Sequence, residues 1–410
     1  MYLLYAPEKK FGRLPPKTPL ITEEVLFTHN VAYCPKFFWR KFHLLQGIID
    51  VTPSWMKRLR KYRTLNNILF VATGGIGDVL WTMPFMKYIR GKYPRSKIVV
   101  ATEEKTAPLF QNVPYVDICA RSEFWNLQNL IRHADECWDF GGVATIYREY
   151  MKYDPVEAIF RWTEEPLPKN KKDCRPHLVL TIDEGKQAEA ILRKKGVDIR
   201  KDKIISIAIE SSTPNRDWPY TYTRTLSRLL LDQGYKVVWL GESKDFSHTY
   251  FHSCYCGWEF IITTKTIPDF LSFTCPVCKK ETSLGNLQHE PGIVNLAGQT
   301  TLRQAMAIIA LSDLFIGPNS GLMVIATALE IPTIGLFGSF DPATRTKFYE
   351  KFTPIWGRYK CSPCGEHWTE CPEGHPAPCM KIITPEMVYS EVFNMLKTYP
   401  RKPIEKEPME

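Results

Sequence analysis

The run Ile68–Pro84, ILFVATGGIGDVLWTMP, constrains this chain more than any other stretch. Its five apolar residues, Ile68 to Ala72, stop at Thr73-Gly74-Gly75, the pattern of a strand buried on both faces. A helix is expected to open at Gly77-Asp78 and run through Leu80, Pro84, Met86 and Ile89 to Arg90-Gly91. Lys97-Ile98-Val99-Val100 is the next expected strand. In such a unit of strand, glycine loop, helix and strand, backbone N–H groups at the helix start can approach a ligand closely. Gly75-Ile76-Gly77 followed by Leu80 lacks the third glycine of a dinucleotide fingerprint, and no Gly-Lys-Ser/Thr follows to make a phosphate-binding P-loop. Asp78 instead puts a carboxylate where a phosphate would sit. It is read either as a helix cap or as a functional group.

The 410 residues allow two or three domains. A formal charge of +9 suits an anionic substrate, a membrane surface or nucleic acid without choosing among them. No apolar run is long enough to span a bilayer, and the start shows no basic region followed by an apolar signal core, so a cytoplasmic protein is expected. Of 12 cysteines, eight fall in two clusters, which favours metal in a reducing compartment over disulfides. Residues 1–63 form an expected N-terminal extension with Pro15-Pro16, Pro19, the aromatic-basic patch Phe37–His43 and the basic run Lys57–Arg63. It is expected to wrap the first domain, its aromatics packed and its basic residues solvated; docking to a protein or an anionic surface is the alternative.

From Thr64 onward, strand and helix patterns alternate, as in an open α/β sheet. After Lys97–Val100 come a helical Ala107–Gln111, a strand at Val116–Ile118, strand candidates at Ala134–Asp139 and Leu178–Leu180, and an aromatic helix at Tyr147–Trp162. At Lys203 the pattern starts again: strand Ile204–Ala208, polar loop Ser211–Thr213, helix Tyr222–Gln233, strand Tyr235–Leu240. Two similar halves are therefore expected, at 64–197 and 198–385, with an insertion near 250–285 and a C-terminal helix and tail at 386–410. A ligand cleft would face the carboxyl ends of both sheets.

The second half carries anion-binding patterns. Ser211-Ser212-Thr213-Pro214-Asn215-Arg216 sets hydroxyls and a guanidinium directly after a strand, and Arg216 could grip two phosphate oxygens as a fork. After strand Asp313–Gly317, Asn319-Ser320-Gly321 opens a helix whose unpaired N–H groups and dipole suit a diphosphate. Each loop alone could be capping chemistry; their matching positions at strand ends favour an anion site.

Gly77-Asp78-Val79-Leu80 with Pro84, Ser211-Ser212 with Arg216-Asp217-Trp218-Pro219, Asn319-Ser320-Gly321 with Ala326-Thr327-Ala328-Leu329, Gly335-Leu336-Phe337-Gly338, Asp341-Pro342 and Cys361-Ser362-Pro363-Cys364-Gly365 occur in order between Asn67 and Leu396. In this the chain resembles the family-nine glycosyltransferases, the ADP-heptose-dependent heptosyltransferases, including the autotransporter heptosyltransferases. The resemblance implies a GT-B fold: two Rossmann-like domains, the donor nucleotide in the C-terminal one and the acceptor mainly on the N-terminal one. It implies an inverting transfer of a sugar, heptose by this likeness, from an ADP-linked donor to a saccharide or protein hydroxyl. Asp78 corresponds to the family's general base, with Gly75 and Gly77 in the acceptor-facing loop. Ser211, Ser212 and Arg216 correspond to the donor-phosphate loop, Glu242 to an acidic residue near the nucleoside, and Asn319, Ser320 and Gly321 to the diphosphate loop. Where the lipopolysaccharide enzymes have Asp-Thr-Gly and a His three residues beyond the Gly, this chain has Asn319 and Val324, a departure that bears on the sugar more than on the reaction class.

The chemistry needs a base near the acceptor hydroxyl and a cationic cradle for the leaving diphosphate, so no catalytic divalent metal is expected. Cys254, Cys256, Cys275 and Cys278 have near zinc-ribbon spacing, and structural zinc is expected there. Cys361, Cys364, Cys371 and Cys379 resemble the cysteine-coordinated metal finger of the autotransporter enzymes and would take zinc or iron; His367 and His375 are read as loop-surface histidines, with a place as substitute ligands the alternative. Expected partners are the nucleotide-sugar donor and the acceptor. A homo-oligomer and a peripheral contact with the inner membrane stay open, and nucleic acid is not expected. The alternative reading is a non-catalytic GT-B scaffold whose metal ribbon binds a partner or nucleic acid.

Overall fold

The computed structural model describes residues 65–141, 152–241, 292–365, 371, 373–374 and 377–400, together with strands and short turns at 2–5, 26–28, 31–34, 49–50, 249–253, 259–263, 272–274, 278–283 and 285–286. The chain forms two compact units, 1–150 with 155–176, and 151–154 with 177–410.

In the first unit, β1 (Tyr2–Tyr5), β2 (Leu26–Thr28), β3 (Val31–Cys34) and β4 (Ile49–Asp50) make an antiparallel sheet in the order β2-β3-β1-β4. The stretch read first from the sequence follows as β5 (Asn67–Ala72) and α1 (Ile76–Lys92). Then come β6 (Lys97–Thr102), β7 (Ile118–Arg121), α2 (Phe124–His133), β8 (Glu136–Asp139) and α3 (Pro155–Trp162). The sheet is parallel, ordered β7-β6-β5-β8, with Phe70 opposite Val100 on one side and Trp138 on the other. As the unbroken apolar run requires, β5 is buried on both faces. One face packs Phe70 among Phe85, Trp138 and Phe140, with ring centroids 5.3–6.1 Å apart, and Phe85 reaches Phe160 of α3 at 5.3 Å. The other face sets Leu69 and Val71 beneath Leu127, Leu130 and Ile131 of α2.

The second unit contains α4 (Ile182–Lys194), β9 (Ile204–Ala208), α5 (Tyr220–Asp232) and β10 (Lys236–Leu240). After β10 come the short antiparallel strands β11 (Thr249–Ser253), β12 (Glu259–Thr263), β13 (Ser272–Thr274), β14 (Glu281–Ser283) and β15 (Gly285–Asn286). The chain continues through β16 (Ile293–Asn295), α6 (Leu302–Ala310), β17 (Leu314–Pro318), α7 (Gly321–Ala328), β18 (Thr333–Phe337), β19 (Phe352–Trp356), α8 (Pro378–Ile382) and α9 (Pro385–Thr398). Its parallel sheet runs β16-β10-β9-β17-β18-β19, the doubly wound order in which winding reverses between β9 and β17. In the first unit the reversal lies between β5 and β8.

Several local expectations shift. Strand β7 starts at Ile118, because Asp117 uses its carboxylate to accept the Ile98 N–H at 2.6 Å and to pair with Arg90 at 2.5 Å. No strand forms at Leu178–Leu180; the Val179 carbonyl accepts from Arg303 at 2.7 Å instead of joining a ladder. Helix α4 belongs to the second unit, whereas the sequence reading ends the first domain at 197. Glu184 of α4 binds Arg303 of α6 through two hydrogen bonds of 2.6 Å, and a Thr181–Glu184 capping box opens the helix. Of the expected helix Tyr147–Trp162, residues 152–154 are not helical, because a proline at 155 disfavours helix in the residue before it, and the helix runs over Pro155–Trp162; residues 147–151 lie outside the described residues.

Candidate functional site

In parallel α/β sheets ligands sit beyond the carboxyl ends of the strands, where the winding reverses. In the first unit that place is the loop leaving β5. Gly74 has φ +125°, a conformation a side chain would strain, and lets the chain turn sharply into α1. Its N–H donates to Glu103 Oε1 at 3.1 Å, and the next N–H, of Gly75, donates to Asp78 Oδ2 at 3.1 Å. Asp78 thus lies at the third position of α1 and folds back over the helix start, half-buried, where the dipole favours its ionised form. A Cβ on Gly75 would lie 3.1 Å from Asp78 Oδ2, so the glycine keeps the carboxylate uncrowded. Gly77 lies in the first helical turn. On the other side of the reversal, the buried Asp139 at the end of β8 accepts the Gly141 N–H at 2.8 Å.

Glu103 is absent from the sequence reading. It follows β6 directly, and its other oxygen pairs with Lys105 Nζ at 3.0 Å. The available signal was a carboxylate directly after a parallel strand. Beside it, Thr102 Oγ1 donates to the Ala72 carbonyl at 2.6 Å and fixes the tops of β5 and β6 together.

In the second unit, the loops after β9 and β17 flank the reversal and are joined. Arg216 donates from Nε to Thr213 Oγ1 at 2.6 Å, from Nη2 to Ser212 Oγ at 2.6 Å and from Nη1 to the Asn319 carbonyl at 2.7 Å. The fork expected to grip phosphate therefore spans the two loops that would cradle it. The Ser211 N–H donates to Asp217 Oδ1 at 2.6 Å, and Ser211 Oγ donates to the Thr213 carbonyl at 2.7 Å. Trp218 anchors the far side, its buried indole N–H donating to the Ile383 carbonyl at 2.8 Å. Asn319 is buried and its N–H donates to the Leu336 carbonyl at 3.1 Å. Ser320 is the N-cap residue of α7 and makes no side-chain cap bond, so the amides at Gly321 and beyond have no cap from that hydroxyl. Glu242 lies outside the described residues; its neighbour Gly241 accepts the Gly298 N–H at 3.1 Å.

The segment after β19 packs against the turn that follows β18. The Gly365 N–H donates to the Ser339 carbonyl at 2.8 Å, and Trp356 Nε1 donates to the Gly338 carbonyl at 3.2 Å. Cys361, Cys364, Cys371 and Cys379 are free thiols within electrostatic reach of one another. Burial, and after it the other three thiols, pushes Cys379 up to about 11. Burial, then Cys364 and Cys371, also raises Cys361. Among the described residues, no three His, Cys, Asp or Glu side chains are grouped to hold a metal ion. Cys254, Cys256, Cys275, His367 and His375 lie outside the described residues, and Cys278 is half-buried. Among the described residues, no helix is long and apolar enough to cross a membrane.

Residues 273–375 match the model of glycosyltransferase family 9 (heptosyltransferase). Among curated relatives, the lipooligosaccharide heptosyltransferase 2 of Haemophilus ducreyi is 25% identical over 192 residues, 46% of this chain and 47% of that protein. This chain spans less than half the length of the curated relatives it matches. The solved E. coli ADP-heptose lps heptosyltransferase II superposes with a TM-score of 0.56 at 18% identity, over 81% of this chain and 99% of that one. TibC of enterotoxigenic E. coli, described as an iron-containing dodecameric glycosyltransferase, superposes with a TM-score of 0.55 at 14% identity, over 85% and 79%. Residues 273–375 are thus similar in sequence to glycosyltransferase family 9 (heptosyltransferase), and the solved structures share the chain's fold.

Proposed function

We propose that this protein is an inverting glycosyltransferase that moves heptose from ADP-heptose to a saccharide hydroxyl. The observation that carries this reading is the Arg216 bridge: at the reversal of a doubly wound sheet, a cationic side chain joins a hydroxyl-bearing loop to the start of a helix. That combination suits a nucleoside diphosphate.

In this reading the loop hydroxyls of Ser211 and Ser212 and the amides from Gly321 onward receive the diphosphate. The Arg216 charge lowers the cost of the negative charge that builds on it as the bond to the sugar breaks. Asp78 accepts the proton of the acceptor hydroxyl while that oxygen attacks the anomeric carbon; the anomeric C–O bond to phosphate breaks, and ADP leaves from the opposite face. A carboxylate stabilised by a helix start is a weak base and takes the proton late, as the hydroxyl becomes acidic in the transition state. Gly75 and Gly77 leave room beside it. Glu242 is assigned to the nucleoside. TibC, a structural neighbour, was solved in complex with ADP-D-beta-D-heptose, which supports the choice of donor.

The donor set Cys361, Cys364, Cys371 and Cys379 fits zinc or iron in its chemistry, four soft thiolates, although its present spacing does not close around an ion. A bound ion would remove the mutual repulsion of the thiolates and stiffen the segment held to Gly338 and Ser339. Cys254, Cys256, Cys275 and Cys278 are assigned to structural zinc. An anionic membrane surface is a natural counterpart of the chain's positive charge. Titration calorimetry with ADP tests the donor site: binding by the parent that is weakened in Arg216→Ala supports it, and no binding by the parent protein removes it.

A further inference from the structure

We propose that Glu103 is a positioning residue for Asp78. The inference rests on the reading of Asp78 as the base and adds how its carboxylate is held. Two carboxylates accept from two successive amides of the same turn: Glu103 from Gly74 N–H at 3.1 Å, Asp78 from Gly75 N–H at 3.1 Å. Gly74, at φ +125°, joins the two peptides and has the conformational freedom to let this turn relax, so an acceptor on its N–H holds the peptide that enters it and thereby the direction in which the next one, carrying the Gly75 N–H, leaves. Glu103 is suited to that task. It starts directly after the last residue of β6, and its second oxygen pairs with the exposed Lys105 Nζ at 3.0 Å. Thr102, the residue before it, is bonded to the Ala72 carbonyl at 2.6 Å. The line Lys105, Glu103, Gly74, Gly75, Asp78 thus ties the candidate base to the sheet through its own helix-capping bond, without Glu103 touching Asp78.

The consequence is measurable in the free protein. In Glu103→Ala, the Gly75 amide, which Glu103 does not contact, is expected to exchange with solvent about tenfold faster by NMR, together with Gly74, while amides of β5 and α1 beyond Leu80 keep their rates. In Glu103→Gln the amide oxygen can still accept from Gly74, and Gly75 exchange is expected to stay within about threefold of the parent. An unchanged Gly75 rate in Glu103→Ala overturns the proposal. So does an equal rise in both variants, which would assign the effect to lost charge and not to the lost acceptor. In a transfer assay with ADP-heptose and a truncated lipopolysaccharide acceptor, Glu103→Ala is expected to lower kcat about tenfold with the donor KM within twofold, and Glu103→Gln to restore it. If Asp78→Asn keeps its turnover, the base assignment fails, while the Gly75 exchange still decides whether Glu103 orders this turn.

Discussion

Replacing Arg216 by alanine removes three hydrogen bonds at once, to Thr213 Oγ1, Ser212 Oγ and the Asn319 carbonyl. Two of the acceptors are on the loop after β9 and the third on the loop after β17, so the variant uncouples the two loops. A hydrogen bond from a charged donor contributes about 1.5–3 kcal/mol, but the guanidinium is only partly buried and water can replace its bonds to the hydroxyls. The Asn319 carbonyl, on a buried residue, carries most of the effect, and a net destabilisation of about 1–2 kcal/mol is expected from urea unfolding. The loss in ADP affinity should be larger, because the charge and the loop geometry go together: about 2–3 kcal/mol, or roughly 30- to 150-fold in Kd by calorimetry. Arg216→Lys keeps the charge and not the fork, and should recover only part of either quantity. ADP affinity and stability both equal to the parent would refute the role of Arg216 as the bridge of a donor site.

The ion pair of Glu184 with Arg303 predicts a pH dependence of stability. The Arg303 hydrogen bonds hold the Glu184 carboxyl at about 2, below its ordinary 4.5, so its contribution is complete above pH 4.5 and disappears as pH falls toward 2. Glu184→Gln should cost about 1–2 kcal/mol at pH 7 after solvent screening, with the difference from the parent vanishing near pH 2 in urea titrations. A methyl group on Gly357 would run into the Cys379 carbonyl, which cannot move without displacing α8; Gly357→Ala should lower stability by about 2–4 kcal/mol in the same assay. Elemental analysis should find tightly held zinc or iron, and Cys364→Ser should lose one ion and the hydrogen-exchange protection of the Gly365 amide. Metal-free protein of unchanged stability would contradict the assignment.

Strands β5, β6, β9, β10 and β17 were legible because each is a short apolar run closed by glycine or polar residues, whereas β16 and β19, at the two edges of the second sheet, went unread; the loops at the winding reversals were legible because they combine glycine, hydroxyl and charged residues directly after such runs. What escaped was pairwise. Nothing near Leu178–Leu180 shows that the Val179 carbonyl belongs to Arg303, more than a hundred positions away, so a helix-bearing segment moved from one unit to the other. Asp117 and Asp313 are read from the sequence as members of strands, yet each lies just before its strand and its carboxylate accepts an amide at the start of a neighbouring strand, of Ile98 at 2.6 Å and Ile204 at 2.7 Å. Arg216 is read as an anion ligand from its place after a strand; that its nitrogens join two loops depends on the order in which β9 and β17 sit side by side. Glu103 was missed for the same reason, since its partner is a backbone amide and carries no signal of its own in the sequence.

The central claim, heptosyl transfer from ADP-heptose with Asp78 as the base, is tested most directly by mass spectrometry of a truncated lipopolysaccharide acceptor after incubation with ADP-heptose and either the parent protein or Asp78→Asn. The parent should add one heptose and release one ADP per transfer. Asp78→Asn should lose activity by about a hundredfold or more while binding ADP with the parent's affinity. Turnover by Asp78→Asn at the parent's rate would leave Asp78 as a helix cap and contradict the account.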